Sequence, residues 1–578
     1  MTDKNLPTKQ RGERVPYKWI VLSNTTLGIF MALLDSSIVM ISLPDIFRGI
    51  RLDPLAPANF AYLLWMLMGY GLVAAILVVT LGRIGDIFGR VRMYNLGFAI
   101  FSLASVGLSL TWSTGPAGAM EIIGFRMVQA IGGAMLMANS TAILTDVFPA
   151  EQRGMALGTN LIAGLAGSFM GLMLGGVLAA INWRMVFLVN VPIGAFGTFW
   201  AYWKLRDTGE RHRARIDWLG NVTFALGLGL LLTGVTYGIQ PYGGHNTGWT
   251  SPMVLGMIGA GALALAAFVA IELRAPEPMF DLSLFRIRAF AAGNLAVLLS
   301  AIANGGMQFM FIMWLQGIWL PLHGYTFEQT PLFAGIFMVP LTIGFMVSGP
   351  LFGRLSDRYG ARPFTTGGMV LAAITFALLM TLPANFSYPL FAALLFTDGV
   401  AFGMFGAPNT AAIMNSVPAR NRGAASGMRA TAQMMGQPLS MGIFFSLMVV
   451  GLTATVPQAM FGGLTAHHVP QQIAGALSHM PPTGYLFAAF LGYNPLKMLL
   501  GPVLTALPRV DAAVLVGKSF FPKLISSPFT TGLHEVLTFS VIMCLIAAGA
   551  SWMRGGKFVH AEARKAHGHE PAAELEEA

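Results

Sequence analysis

Apolar runs recur along almost the whole chain, and each is about 20 residues or longer, the length a helix needs to cross a bilayer. They fall at 19–43, 59–81, 94–113, 118–145, 155–181, 185–203, 217–239, 252–273, 289–320, 331–352, 364–382, 388–414, 425–452 and 532–553. This pattern predicts an all-α integral membrane protein with fourteen spans. The first run follows Lys4, Lys9, Arg11, Arg14 and Lys18 but ends in SLPDIF, without a small-residue cleavage site, so a retained span is expected rather than a signal peptide. The segment 453–531 breaks the rhythm of short connections. Its apolar stretch GYLFAAFLGYNPLKMLLGPVLTALP is interrupted by Asn494, Pro495 and Lys497. It is read as an extracytoplasmic insert of short amphipathic helices that lie on the membrane or cap the protein.

Charge then fixes the expected orientation. Only 10% of the 578 residues are charged and 55% are hydrophobic, far from the ~25% charged of a soluble domain. Of the 35 Lys and Arg residues, 27 fall on the side that holds both termini. Basic loops belong in the cytoplasm, so both termini are expected inside, and the net charge of +10 marks orientation, not nucleic-acid binding. The single cysteine, Cys544, cannot form an intrachain disulfide.

Two loops repeat. Gly82-Arg83-Ile-Gly-Asp86-Ile-Phe-Gly89-Arg90-Val-Arg92 and Gly353-Arg-Leu-Ser-Asp357-Arg358-Tyr-Gly360-Ala-Arg362 share the pattern G-R-x-x-D-x-x-G-x-x-R. The first follows span 2 and the second follows span 10. Two six-helix halves with two inserted spans, 6 + 2 + 6, account for the offset. The expected organisation is a cytoplasmic segment at 1–18, a six-helix bundle at 19–205, two linker helices with their loops at 206–288, a second bundle at 289–553 that includes the insert 453–531, and a cytoplasmic tail at 554–578. The loop residues Gly82, Arg83, Asp86, Gly89, Arg90, Arg92, Asp357 and Arg358 can form a charge network that holds one conformation and releases it in another. Arginines that merely fix orientation are the alternative. Asp146 and Glu151, at the same end of span 4, are expected in this gate or at an interface.

These loops resemble the cytoplasmic loop signature of the major facilitator superfamily. Further segments resemble its fourteen-span drug:proton antiporter family: Leu34-Asp35-Ser-Ser-Ile-Val-Met-Ile-Ser-Leu-Pro44 in span 1, Arg126-Met-Val-Gln129-Ala-Ile-Gly132 in span 4, and Asn182-Trp183-Arg184 through Asn190 to Gly194 leading into span 6. Gly167, Gly171, Gly175 and Gly176 in span 5 resemble the antiporter motif and make a flat helix-packing face. Leu172 stands where that motif usually has proline. The resemblance implies the major facilitator fold, with pseudo-twofold halves, and export by alternating access.

An ionisable group inside a span costs about 2.5–3.5 kcal/mol on insertion scales, so each needs a reason. Asp35 and Arg126 lie at equal depth, about 12 Å below the outer ends of their predicted spans at 1.5 Å per residue. They can pair if spans 1 and 4 are neighbours. Opening the pair would let Asp35 take a proton, which makes both residues candidates for proton coupling or substrate binding; a static structural pair is the alternative. Asp398 in span 12 has no evident basic partner and is a second proton-site candidate. Gln129 in span 4 is a cavity candidate. Asn139, Asn304, Gln308, Gln316 and Gln433 are polar in apolar spans and line a cavity or bond helix to helix.

No phosphate loop, catalytic nucleophile or metal-ligand constellation is evident, so neither an enzyme nor a metal protein is expected. The expected function is proton-coupled export of small lipophilic or cationic compounds, with the proton as coupling ion, no other cofactor, and a monomer in a bacterial inner membrane sufficing. A dedicated exporter of one metabolite, antibiotic, siderophore or lipid is an alternative, and a non-transporting membrane sensor is another.

Overall fold

The computed structural model describes residues 16–53, 59–206, 217–244, 247–276, 278, 280–418, 421–491 and 494–555. Lys4, Lys9, Arg11, Arg14, Arg211, Arg213, Arg215, Arg420, Lys557, Arg564 and Lys565, and most of the two terminal segments, lie outside the described residues, as do the side chains of Glu151, Arg153 and Arg422.

Among the described residues, fourteen helices are long and apolar enough to cross a membrane, matching the predicted number. Thirteen of them come first in the chain: α1 (Tyr17–Gly49), α2 (Phe60–Phe88), α3 (Arg90–Ser109), α4 (Gly115–Val147), α5 (Ala150–Ile181), α6 (Met185–Lys204), α7 (Trp218–Gly238), α8 (Pro252–Glu272), α9 (Arg288–Leu322), α10 (Thr330–Tyr359), α11 (Ala361–Leu379), α12 (Tyr388–Asn415) and α13 (Arg422–Thr465). Five short helices follow: α14 (Gln471–Ser478), α15 (Pro482–Phe490), α16 (Leu496–Leu500), α17 (Val503–Ala506) and α18 (Arg509–Leu515). The last span is α19 (Phe520–Trp552).

The packing repeats between the halves. In the first, α1 packs on α5, α2 and α3 on α4, and α3 on α6. In the second, α9 packs on α13, α10 and α11 on α12, and α11 on α19. These are the same pairs six helices apart once α7 and α8 are set aside, which is the pseudo-twofold 6 + 2 + 6 plan. The two halves meet through a second symmetric pair of contacts, α2 with α13 and α5 with α10. Helices α7 and α8 pack on each other, and α7 rests on both α2 and α13.

The repeated loops lie on one face, termed the basic face below. In each, a glycine carries the turn that ends one span and starts the next: Gly89 at φ 110° and Gly360 at φ 84°. Positive φ of this size is strained for residues with a Cβ. On the opposite face the halves touch closely. A Cβ on Gly176 of α5 would collide with the backbone of Leu332 in α10, and one on Gly335 of α10 would lie 2.9 Å from the carbonyl oxygen of Leu172. Leu172 is buried at that contact, and α5 runs unbroken past the position where proline is usual.

The two boundaries beside the insert differ most from expectation. The helix α13 continues to Thr465 through Pro438 and Pro457, and α19 starts at Phe520, ahead of Pro528. The polar and proline-bearing stretches that read as connection are therefore helix. This leaves a shorter insert, part of which is drawn into the protein. Its helix α15 is buried on all sides, every residue but Gly484 being inaccessible, so the insert caps and enters the second half.

The glycine face of α5 sets how closely α1 approaches. A Cβ on Gly167 would strike the carbonyl of Phe30, and one on Gly171 the carbonyl of Leu34, next to Asp35. Backbone cannot yield as a flexible side chain can. Gly171→Leu is expected to cost about 1–3 kcal/mol through overpacking. A fall in the midpoint of thermal unfolding in detergent checks it.

Candidate functional site

Five helices of the first half bring a polar network together in its core. Asp35 sits near the middle of α1 and Arg126 near the middle of α4, deeper than predicted because both helices run further out than the apolar pattern indicates. They form an ion pair, with side-chain exposures of 0% and 3%. Gln129, one turn along α4, accepts from Arg126 Nη1 at 2.8 Å and donates to Asp35 Oδ1 at 3.0 Å. Its amide also donates to Ser105 Oγ of α3 at 2.9 Å. Asn190 of α6 donates to Asp35 Oδ1 at 2.6 Å. The Arg126 guanidinium stacks over the Tyr70 ring of α2 at 4.7 Å.

A buried charge persists only when paired and hydrogen-bonded. Here both carboxylate oxygens have donors, from Arg126, Gln129 and Asn190. The network is not saturated, however. Arg126 Nε, Tyr70 Oη and Asn190 Oδ1 are buried without hydrogen-bond partners. Those unused groups can accept a rearranged hydrogen-bond pattern when Asp35 changes charge. Ser105, Asn190 and Tyr70 were not singled out from sequence as members of the site. Asn190 carried a signal, as a polar residue within the segment that leads into span 6.

Asp398 in α12 is placed elsewhere, in the interior of the second half. Its side chain is inaccessible and both oxygens lack hydrogen-bond partners among the described residues. It lies within electrostatic reach of Cys544 in α19. The structure does not bring it to the Asp35 network.

The polar residues expected to line a cavity divide. Asn139 sits in the α2/α4 seam, where a Cβ on Gly85 would collide with its side-chain oxygen, and its amide donates to the Met135 carbonyl at 2.9 Å. Asn304 and Gln308 are part-buried, one helical turn apart in α9. Gln316 is fully buried with neither amide atom bonded. Gln433 is exposed and accepts from Arg429 at 3.1 Å.

At the basic face, Arg90 bridges two acids. It bonds Asp86 at 2.8 Å across the loop turn and both oxygens of Asp146 in α4 at 2.6 Å. Three helices are thereby clasped at one point. Arg92 is exposed, and Arg358 lies over the Tyr359 ring at 5.4 Å. A Cβ on Gly82 would meet Ala138 of α4 at ordinary contact distance. A half-exposed pair of this kind contributes little to stability. Asp146→Asn is expected to shift unfolding by no more than about 1 kcal/mol while slowing turnover, a contrast read by measuring melting and flux on the same preparation.

Two pseudosymmetric six-helix halves, an interface between them, and an ion-paired network inside the apolar core define a polytopic membrane transporter. The Major Facilitator Superfamily model matches residues 25–441, and the chain belongs to that superfamily. The chain is 29% identical over 440 residues to the "Multidrug resistance protein Stp" of Mycobacterium tuberculosis, covering 76% of this chain and 77% of that one. It is 30% identical over 470 residues to the "Methyl viologen resistance protein SmvA" of Salmonella typhimurium, covering 80% and 88%. Among solved structures, it shares its fold with an inward-facing bacterial homologue of the lysosomal transporter Spinster, with a TM-score of 0.53 at 17% identity over 94% of this chain and 98% of that one.

Proposed function

We propose that the protein exports small lipophilic or cationic compounds across a bacterial inner membrane by alternating access, driven by protons entering in exchange. The observation that carries this reading is the buried Asp35–Arg126 pair with its unsaturated surroundings. A group that trades its ion pair for a proton when the halves rearrange couples proton passage to conformation. The two relatives above are named for resistance to drugs and to methyl viologen, which supports a toxic, lipophilic or cationic cargo. The basic face is assigned to the cytoplasm, because 27 of 35 Lys and Arg residues lie on that side of the chain's topology. In this orientation the halves touch on the extracytoplasmic side. A monomer carries both halves and suffices, and the proton is the coupling ion.

The driving force is adequate. One charge crossing 100 mV supplies about 2.3 kcal/mol, and a tenfold gradient needs about 1.4 kcal/mol. The test is transport in proteoliposomes under an imposed pH gradient, with ethidium, methyl viologen and a panel of neutral lipophilic dyes as probes. Gradient-dependent movement of several compounds is expected. Movement of a single compound would point to a dedicated exporter, and movement indifferent to the pH gradient would contradict proton coupling.

A further inference from the structure

The helix α15 is hydrophobic all round and buried all round, which in a nine-residue piece of a connecting segment calls for an explanation. Its rings reach into the second half. Phe490 meets Phe309 of α9 with centroids 4.8 Å apart, and Phe487 stacks on Phe445 of α13 at 5.7 Å. Phe309 and Phe445 themselves touch at 5.2 Å. Phe309 lies thirteen residues before the end of α9, about 20 Å along the helix, so α15 enters the bundle rather than resting on its rim.

The wall that α15 faces is irregular and polar at one point. Leu315–Trp319 of α9 form a π-helical turn, a feature concentrated at functional sites. Gly317 in that turn lies against α15, and a Cβ there would sit 3.5 Å from the Ala489 Cβ. Gln316 lies seven positions on from Phe309 and so on the same face of α9. It is inaccessible, and neither its oxygen nor its nitrogen has a hydrogen-bond partner among the described residues. An orphaned buried amide is costly and marks a site that something else satisfies.

The fastening of α15 differs from that of the rest of the insert. Outside the bundle, His467 and His468 both contact Asp511 of α18, at 3.1 and 2.9 Å. Asn494 donates to the carbonyls of Leu515 and Gly517 at 3.0 and 3.1 Å. Within the insert, the Tyr485 hydroxyl bonds the Leu477 carbonyl. The contacts described between α15 and the bundle include the ring contacts of Phe487 and Phe490 and the approach of Ala489 to Gly317, which are apolar and non-directional. The helix can withdraw once the Tyr485–Leu477 bond is exchanged, while the His467, His468 and Asn494 ties stay made.

We propose that α15 is the extracytoplasmic gate of the export path. The chamber it fills, walled by Phe309, Phe445 and Gln316, is then an exit site for cargo with an aromatic or otherwise apolar body and one hydrogen-bonding group. This rests on the export reading and on the basic face being cytoplasmic. In the closed state α15 occupies the place of the cargo; in the open state cargo takes over the ring contacts and satisfies Gln316.

The test is a reversible lock. Gly317→Cys with Ala489→Cys, in a Cys544→Ala background, places the two Cβ positions within the roughly 3.5–4.5 Å range a disulfide spans. Ethidium transport is measured in proteoliposomes with the pair reduced and then oxidised. The expected result is transport by the reduced protein, loss on oxidation to under about a tenth, and recovery with dithiothreitol. Equal transport by reduced and fully cross-linked protein overturns the gate and leaves the export reading standing. Wild-type protein that moves no probe overturns the export reading and the gate with it. Should the double variant fail to fold, Ala489→Cys alone is labelled from outside with an impermeant maleimide. Labelling that accelerates during turnover is expected, and transport without any labelling overturns the gate.

Discussion

Replacing Arg126 with alanine is expected to destabilise the first half by about 3–5 kcal/mol, the cost of leaving a buried charge without its partner. Asp35 would keep its amide donors from Gln129 and Asn190 but lose the cation, in a site where both members of the pair are almost inaccessible. The variant's midpoint of thermal unfolding in detergent should fall well below that of the wild type. Removing both charges, in Asp35→Asn with Arg126→Gln, should recover most of the loss, because the remaining amides can bond to one another. If the double variant were no more stable than Arg126→Ala, the pair would not be the source of the effect.

Asp35→Asn alone separates coupling from folding. Asparagine keeps the size of the side chain and an acceptor for Gln129 or Asn190, but it cannot bind and release a proton at physiological pH. Uptake driven by the pH gradient is expected to vanish, while exchange of labelled for unlabelled compound down its own gradient continues. Losing one coupled charge at 100 mV removes about 2.3 kcal/mol of drive, which is about 50-fold in attainable accumulation. Driven uptake in inverted vesicles, measured beside exchange on the same vesicles, reads both.

The spans were legible because a bilayer demands long apolar runs, and nothing else in a sequence looks like fourteen of them. The 6 + 2 + 6 plan was legible from one repeated loop, whose glycines at 89 and 360 both take positive φ. Equal depth suggested that Asp35 and Arg126 could pair, and they do. The rest of that network was not legible: Ser105, Tyr70 and Asn190 come from three other helices, and a single polar residue does not announce which helix it faces. Gln129 joins the ion pair rather than a cavity for the same reason. Asp146 was expected at a gate or an interface from its place at the end of span 4, but nothing in the sequence marked it as the second acid on Arg90. The insert was harder still. Prolines 457 and 528 read as breaks but sit inside helices, and the aromatics of α15 give no sign of which surface will bury them.

The two carboxylates left in the core divide the mechanism. Asp35 has a charged partner that can be exchanged, whereas Asp398 has none among the described residues. A group that can alternate between cation and proton is the better coupling site. Asp398 is then expected to tolerate asparagine with driven transport largely retained, which the same vesicle assay would read.

The most direct test of proton coupling at Asp35 is proton release on cargo binding. Purified protein in weak buffer with a pH indicator is mixed with ethidium or methyl viologen. The account predicts that wild-type protein exchanges protons with solvent on binding and that Asp35→Asn, binding the same probe, exchanges none. Equal proton exchange by the two proteins would contradict it.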